Sequence, residues 1–242
     1  MKFFKRHSKA LKTDEKNNPG VDRFIIISSP RTGSNLLCGL LDAHPEVICH
    51  YEIFHENEIY YSDQYGHDWI KDFTKEMRDK DPQKFLQFLY DHKLGKRVKT
   101  NGFKIFNGHN DPLLKSLLAD PKVKKIILKR ENLLMAFISK IEAEKSGVYF
   151  NIDQDKKSKE EAKQKINFDY RHFKVYEKNN LDFFASCRSQ ITASNQQHFE
   201  LDYTEVLNNK ILSGLLKFLE VDSNTDHLEE RFRKQNKKER QS

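Results

Sequence analysis

Residues 24–36, Phe-Ile-Ile-Ile-Ser-Ser-Pro-Arg-Thr-Gly-Ser-Asn-Leu, hold the side chains whose types and spacing point most directly to chemistry. A β-branched run (Ile25, Ile26, Ile27) ends in small residues, a proline and a glycine, and an apolar helical pattern begins at Leu36. Strand, tight turn and helix in that order leave the first N–H groups of the helix without intrahelical partners and aim them into the turn. Those donors and the positive end of the helix dipole form an anion site. Arg31 adds a permanent positive charge, and Thr32 and Ser34 add hydroxyl donors. The pattern predicts a loop for a phosphate or sulfate group; the competing reading is an ordinary strand-to-helix turn with a solvated arginine.

A nucleoside-triphosphate loop reads G-x-x-x-x-G-K-[ST], with a lysine on the outer phosphates and a hydroxyl on magnesium. Here no lysine follows Gly33, and the first glycine is missing. A second cationic point comes later, where the short apolar strand from Val123 to Leu128 runs into Lys129 and Arg130. Asn132 is placed to cap a helix carrying Leu133, Leu134, Phe137, Ile138 and Ile141 on one face. In a magnesium-dependent enzyme of this kind, that strand should deliver an acidic residue for the metal. A positive strand end beside the first loop suits a donor with a separate phosphate and needs no metal. The alternative pairs Arg130 with Glu131 or Glu142 and leaves Ser139 an ordinary helical serine.

Pro30-Arg31-Thr32-Gly33-Ser34-Asn35-Leu36-Leu37, then Leu41-x-x-His44-Pro45-x-Val47, then Glu52-Ile53-Phe54, resemble the bacterial sulfotransferases, those of the trehalose and nodulation-factor type in particular. The resemblance implies 3′-phosphoadenosine 5′-phosphosulfate (PAPS) as donor and adenosine 3′,5′-bisphosphate as product. It places the 5′-phosphosulfate on the turn, against Arg31, Thr32, Gly33, Ser34, Asn35 and Leu36. It gives Arg130 and Ser139 to the 3′-phosphate. Gly102-Phe103-Lys104 and Asp202-Tyr203-Thr204-Glu205-Val206-Leu207 are similar to further segments of that family, as is the basic tail beginning Arg231-x-Arg233-Lys234-Gln235-Asn236. Lys104 has two readings, a cation approaching the donor and, favoured of the two, a strand lysine reaching to solvent.

Sulfuryl transfer needs a group to take the acceptor proton. Glu52 stands at the end of a short strand from Val47 to His50, among Tyr51, Ile53 and Phe54, and the resembled enzymes place a glutamate there as general base. His44, His50 and His55 are the competing bases, although His44 precedes a proline at a helix end, where it suits a terminal partner. The reading is therefore a transferase that moves a sulfuryl group from PAPS to a hydroxyl or amine. The acceptor that the resemblance implies is a carbohydrate or glycolipid. A P-loop kinase or nucleotide hydrolase with a degenerate loop is the alternative, and a binding protein without turnover is a third.

These residues require strands that end together. Apolar runs at 24–27, 47–50, 102–106, 123–128 and 198–201 alternate with helical patterns at 36–41, 112–119, 133–141, 166–188 and 212–219. That alternation predicts an α/β fold, a P-loop-like three-layer sandwich whose central parallel sheet has helices on both faces and ligands beyond the carboxyl ends of its strands. Residues 57–97 read as mostly helical, with Asp81-Pro82 marking a start. The acceptor loops are expected at 57–80 and 147–165, whose Tyr60, Tyr61, Tyr65, Trp69, Tyr149 and Phe150 would stack on a sugar or fill a core.

A chain of 242 residues accommodates one such domain over 21–242, after a flexible segment at 1–20 that ends in Asn17-Asn18-Pro19-Gly20. Charged residues make up 33% against 37% hydrophobic, and no stretch approaches the roughly 20 apolar residues of a membrane span. The basic opening Met1-Lys2-Phe3-Phe4-Lys5-Arg6 runs into polar sequence, unlike a secretory signal. Three cysteines (Cys38, Cys49, Cys187) show no metal spacing and cannot all pair, so a reducing cytoplasm is expected. The net charge of +7 fits a basic funnel toward an anionic donor, and no nucleic-acid-binding motif accompanies it.

Overall fold

β1 (Asp22–Ser28) is the centre of the molecule because its side chains are apolar on both faces. A strand of that kind is stable only between two other strands with helices above and below. The computed structural model describes residues 21–64, 66, 70, 73–91, 95, 97–147, 168–226 and 228–232. Within them, β1 pairs in parallel with β3 (Thr100–Phe106) on one side and β4 (Val123–Lys129) on the other. β2 (Val47–His50) extends the sheet beyond β3, and β5 (His198–Asp202) extends it beyond β4. The five strands lie in the order β2-β3-β1-β4-β5, all parallel, so every strand ends at the same edge.

Helices cover both faces, as the alternating pattern predicts. Phe24, Ile26, Ile126, Leu128 and Leu201 pack under α1 (Ser34–Asp42) and α7 (Asn209–Phe218). Ile25, Ile27, Phe103, Ile105 and Ile127 pack under α3 (Pro82–Asp91), α4 (Asp111–Ala119) and α6 (Tyr170–Ala193). Burial of each Ile, Leu or Phe is worth about 1.5–3 kcal/mol. The helical turn at 228–232 closes the α1 face, where the Phe232 ring lies so near Gly39 that a Cβ there would sit 2.0 Å from it. No helix among the described residues is long and apolar enough to cross a membrane.

Three expectations are corrected. Within 57–97, read as mostly helical, the described residues 57–64 are irregular, whereas α2 (Lys75–Lys80) and α3 are helical and α3 starts at Pro82 as expected. The irregular part wraps around a buried Arg78 instead of forming an apolar stripe. In α5 (Leu133–Ser146) the buried residues are Ala136, Phe137 and Ala143, while Leu134 is 41% exposed. Phe137 meets Phe173 and Tyr176 of α6, with Ala136 and Ala143 also buried and Leu134 left exposed. Lys104, expected to reach solvent, is 1% exposed. The segments at 1–20 and 148–167, the side chains of Tyr65, Trp69, Tyr149 and Phe150, and the tail from Arg233 onward lie outside the described residues.

Candidate active site

At the carboxyl edge of the sheet, each strand hands the chain to a residue of interest: Glu52 after β2, His109 after β3, Arg31 after β1, Arg130 after β4 and Tyr203 after β5. This is the edge where parallel α/β sheets place ligands.

The turn after β1 is closed by Thr32, whose hydroxyl donates to the Ser29 carbonyl at 2.7 Å. That hydroxyl is therefore engaged in building the loop. Arg31 (φ 68°) and Gly33 (φ 76°) both take the left-handed conformation, which a non-glycine residue occupies at a cost of roughly 1–2 kcal/mol. Gly33 is the N-cap of α1 and offers no side-chain cap. The other described helices are capped by Thr74, Asp81, Asn110, Asn132, Asp169 and Asn208. The N–H groups of Ser34, Asn35 and Leu36 are thus left to whatever enters the turn.

The cations converge on that turn. Arg31 Nε donates to Ser139 Oγ of α5 at 2.9 Å, and Arg130 Nη1 donates to the Arg31 carbonyl at 3.0 Å. Burial lowers the Arg31 pKa, and the neighbouring Arg130 charge lowers it further, against the pull of Glu142. Two guanidiniums this close favour an anion between them. The Arg130 guanidinium lies 4.7 Å over the Tyr203 ring, and among the described residues no ion pair joins it to Glu131 or Glu142. Lys129 is paired with Glu200 at 3.1 Å and with Glu131 at 3.3 Å, whereas Arg130 faces the turn. Tyr203 also fixes the turn from above: a Cβ on Gly33 would stand 2.5 Å from its ring. Gly33→Ala is expected to lower stability by about 1–2 kcal/mol through backbone strain and loss of this contact. Denaturant melts of the variant check it.

The sheet order places β3 between β2 and β1, so Glu52 is not on the neighbouring strand. Lys104 of β3 spans the gap. Its Nζ lies 2.7 Å from Glu52 Oε1 and also donates to Asn35 Oδ1 in the first turn of α1. Glu52 Oε2 faces His109 Nε2 at 3.7 Å. Burial pushes the His109 pKa down to about 4, against the attraction of Glu52, so the ring is neutral at pH 7. Its Nδ1 accepts the Phe106 N–H at 3.4 Å, which leaves Nε2 to carry the hydrogen toward Glu52.

The other histidines are placed differently. His44 is buried, accepts the Glu46 N–H at 3.2 Å, and has its pKa lowered by that burial. His50 is buried and accepts the Ser62 N–H at 3.0 Å. His55 accepts the Asn57 N–H at 3.2 Å and lies 6.0 Å from the His109 ring, close to the Glu52 cluster. Of the expected acceptor aromatics, Tyr60 is 42% exposed and stacks edge-on to His55, whereas Tyr61 packs toward Phe85 in the core. His109 and Tyr203 gave no chemical signal on their own in the sequence. For Lys104 a signal existed: a lysine between Phe103 and Ile105 in a strand covered on both faces has no route to water.

No family model matches the chain, and no curated protein matches it. Among solved structures, the chain is similar to a sulfotransferase from Alicyclobacillus acidocaldarius, with 14% identity over 85% of each chain and a TM-score of 0.46.

Proposed function

We propose that this chain is a PAPS-dependent sulfotransferase that transfers a sulfuryl group in line to a hydroxyl or amine, with Glu52 as general base. The observation that carries the reading is the uncapped start of α1 beside the hydrogen-bonded set of Arg130, Arg31 and Ser139. Two guanidiniums, a serine hydroxyl and three backbone N–H groups suit a ligand with two separated anionic groups. The planar fork of arginine matches phosphate and sulfate oxygens in a way a point charge does not.

When bound, the donor supplies a sulfuryl group activated by its bond to phosphate. The N–H groups of Ser34, Asn35 and Leu36, with Arg31, hold the 5′-phosphosulfate. Arg31 stabilises the charge that builds on the bridging oxygen as the old S–O bond breaks. Arg130 and Ser139 hold the 3′-phosphate, and Thr32 and Gly33 set the shape of the turn. Glu52 takes the acceptor proton as the new bond forms from sulfur to the acceptor oxygen or nitrogen, and adenosine 3′,5′-bisphosphate leaves. Lys104 ties Glu52 to Asn35, so proton acceptor and anion cradle share one frame. The rings of His55, His109 and Tyr60 beside Glu52 favour an acceptor with stackable faces, such as a carbohydrate or glycolipid. Cys38, Cys49 and Cys187 are free and buried, in keeping with a cytoplasmic setting.

Thermal melts with adenosine 3′,5′-bisphosphate test the donor site. At a hundredfold excess over Kd a ligand adds about 2.7 kcal/mol, or roughly 5–10 °C in Tm for a chain of this size. The shift is expected without added metal. A shift with magnesium ATP alone would make the chain a nucleotide enzyme and overturn the reading.

A further inference from the structure

The segment that follows Glu52 has no regular structure, yet its backbone closes on itself. Tyr51 N–H donates to the Tyr60 carbonyl at 3.1 Å, and His55 N–H donates to the Glu52 carbonyl at 3.1 Å. Inside the loop lies the Arg78 side chain of α2, 2% exposed. Its Nη1 donates to the carbonyls of Ile53 (2.8 Å), His55 (2.9 Å) and Glu58 (3.2 Å). Nε and Nη2 are anchored by Asp79 Oδ1 at 2.8 and 2.6 Å, and the guanidinium lies 5.9 Å from the centre of the Phe54 ring.

Buried peptide carbonyls need donors, and a loop without ladder or helix must find them elsewhere. Here three carbonyls from both limbs of the loop meet one charged nitrogen, so the loop takes its shape from a side chain that arrives from outside it. The consequence falls on the neighbouring residue. Lys104 comes from the rigid centre of the sheet, whereas Glu52 comes from the root of this loop, and they meet at 2.7 Å only if the loop is held in place.

We propose that Arg78 is a positioning residue for Glu52, an inference that rests on Glu52 as the proton acceptor. Asp79 aims the guanidinium, the guanidinium gathers Ile53, His55 and Glu58, and the gathered loop presents the Glu52 carboxylate to Lys104 and His109. Lysine at this position supplies a charge but cannot hold three carbonyls while bound to Asp79.

The test compares Arg78→Lys, Glu52→Gln and the double variant in the full chain. Arg78→Lys is expected to bind adenosine 3′,5′-bisphosphate within about twofold of wild type while turnover falls about 100-fold. In the Glu52→Gln background the same change should cost less than about threefold, because its effect runs through Glu52. Hydrogen exchange at amides 53–60 should quicken by about tenfold or more in Arg78→Lys. Wild-type turnover in that variant, or losses that multiply in the double variant, overturns the assignment. The exchange measurement needs no turnover, so unchanged exchange overturns it independently. Failure of the wild-type chain to bind the bisphosphate removes the donor reading instead, and leaves exchange to decide the role of Arg78. If Arg78→Lys does not fold, Asp79→Asn keeps the guanidinium and loosens its anchor. Turnover should then fall about tenfold with bisphosphate affinity kept; the opposite pattern overturns the proposal.

Discussion

Arg31→Ala is expected to lower turnover by about 10³-fold or more while the chain still folds. The backbone of Arg31 sits at φ 68°, so the residue is held in a conformation that its own Cβ disfavours. A turn can be made more cheaply with glycine, and the sequence uses glycine two residues on. The strained position therefore earns its place through the guanidinium, which reaches Ser139 and stands beside Arg130. Arg31→Gly separates the two effects. It should be more stable than Arg31→Ala by roughly 1 kcal/mol, since glycine takes φ 68° without the Cβ penalty. It should be as inactive as the alanine variant. Chemical denaturation and initial rates on both variants check this, and normal turnover in either one would sink the assignment of Arg31 to the leaving group.

Glu52→Gln should reduce kcat by about 10²–10⁴-fold and leave bisphosphate affinity within about twofold. Glutamine keeps the volume and can still accept a hydrogen bond from Lys104, but it cannot hold the acceptor proton. The substitution also leaves the Lys104 ammonium, 1% exposed, facing a neutral partner. Stability should fall by about 1–3 kcal/mol, limited by Asn35 as the remaining acceptor. The double readout matters because a purely structural glutamate would show the stability loss without the rate loss. A wild-type rate would move the base to a histidine.

The strands and the strand-turn-helix at β1 were legible because their signals are local. Four apolar residues in a row, a turn rich in Pro and Gly, and a cap such as Asn132 each act within a few positions. The parts that were not legible depend on long-range order. Glu52 reaches the α1 turn through Lys104, a link created by β3 lying between β2 and β1. The irregular course of 51–64 follows from Arg78, more than twenty positions after the first carbonyl it holds. No periodicity encodes a loop organised by one distant guanidinium. Thr32 illustrates a finer limit: its hydroxyl was an expected ligand donor, and a bond to Ser29 O takes it into the turn. Pairings such as Lys129 with Glu200 likewise appear only when β5 is laid beside β4.

The strand order also governs how the chain can be made. β1 is synthesised before both of its partners, which start at Thr100 and Val123, so the Phe-Ile-Ile-Ile run stays unpaired until those distant segments have been made. Closing such distant pairings is slow, and an unprotected apolar strand is prone to associate with other chains in the meantime. The sheet edge that gathers the cations is thus completed late, and ribosome-bound chains truncated before β4 should depend on chaperones that shield extended apolar segments.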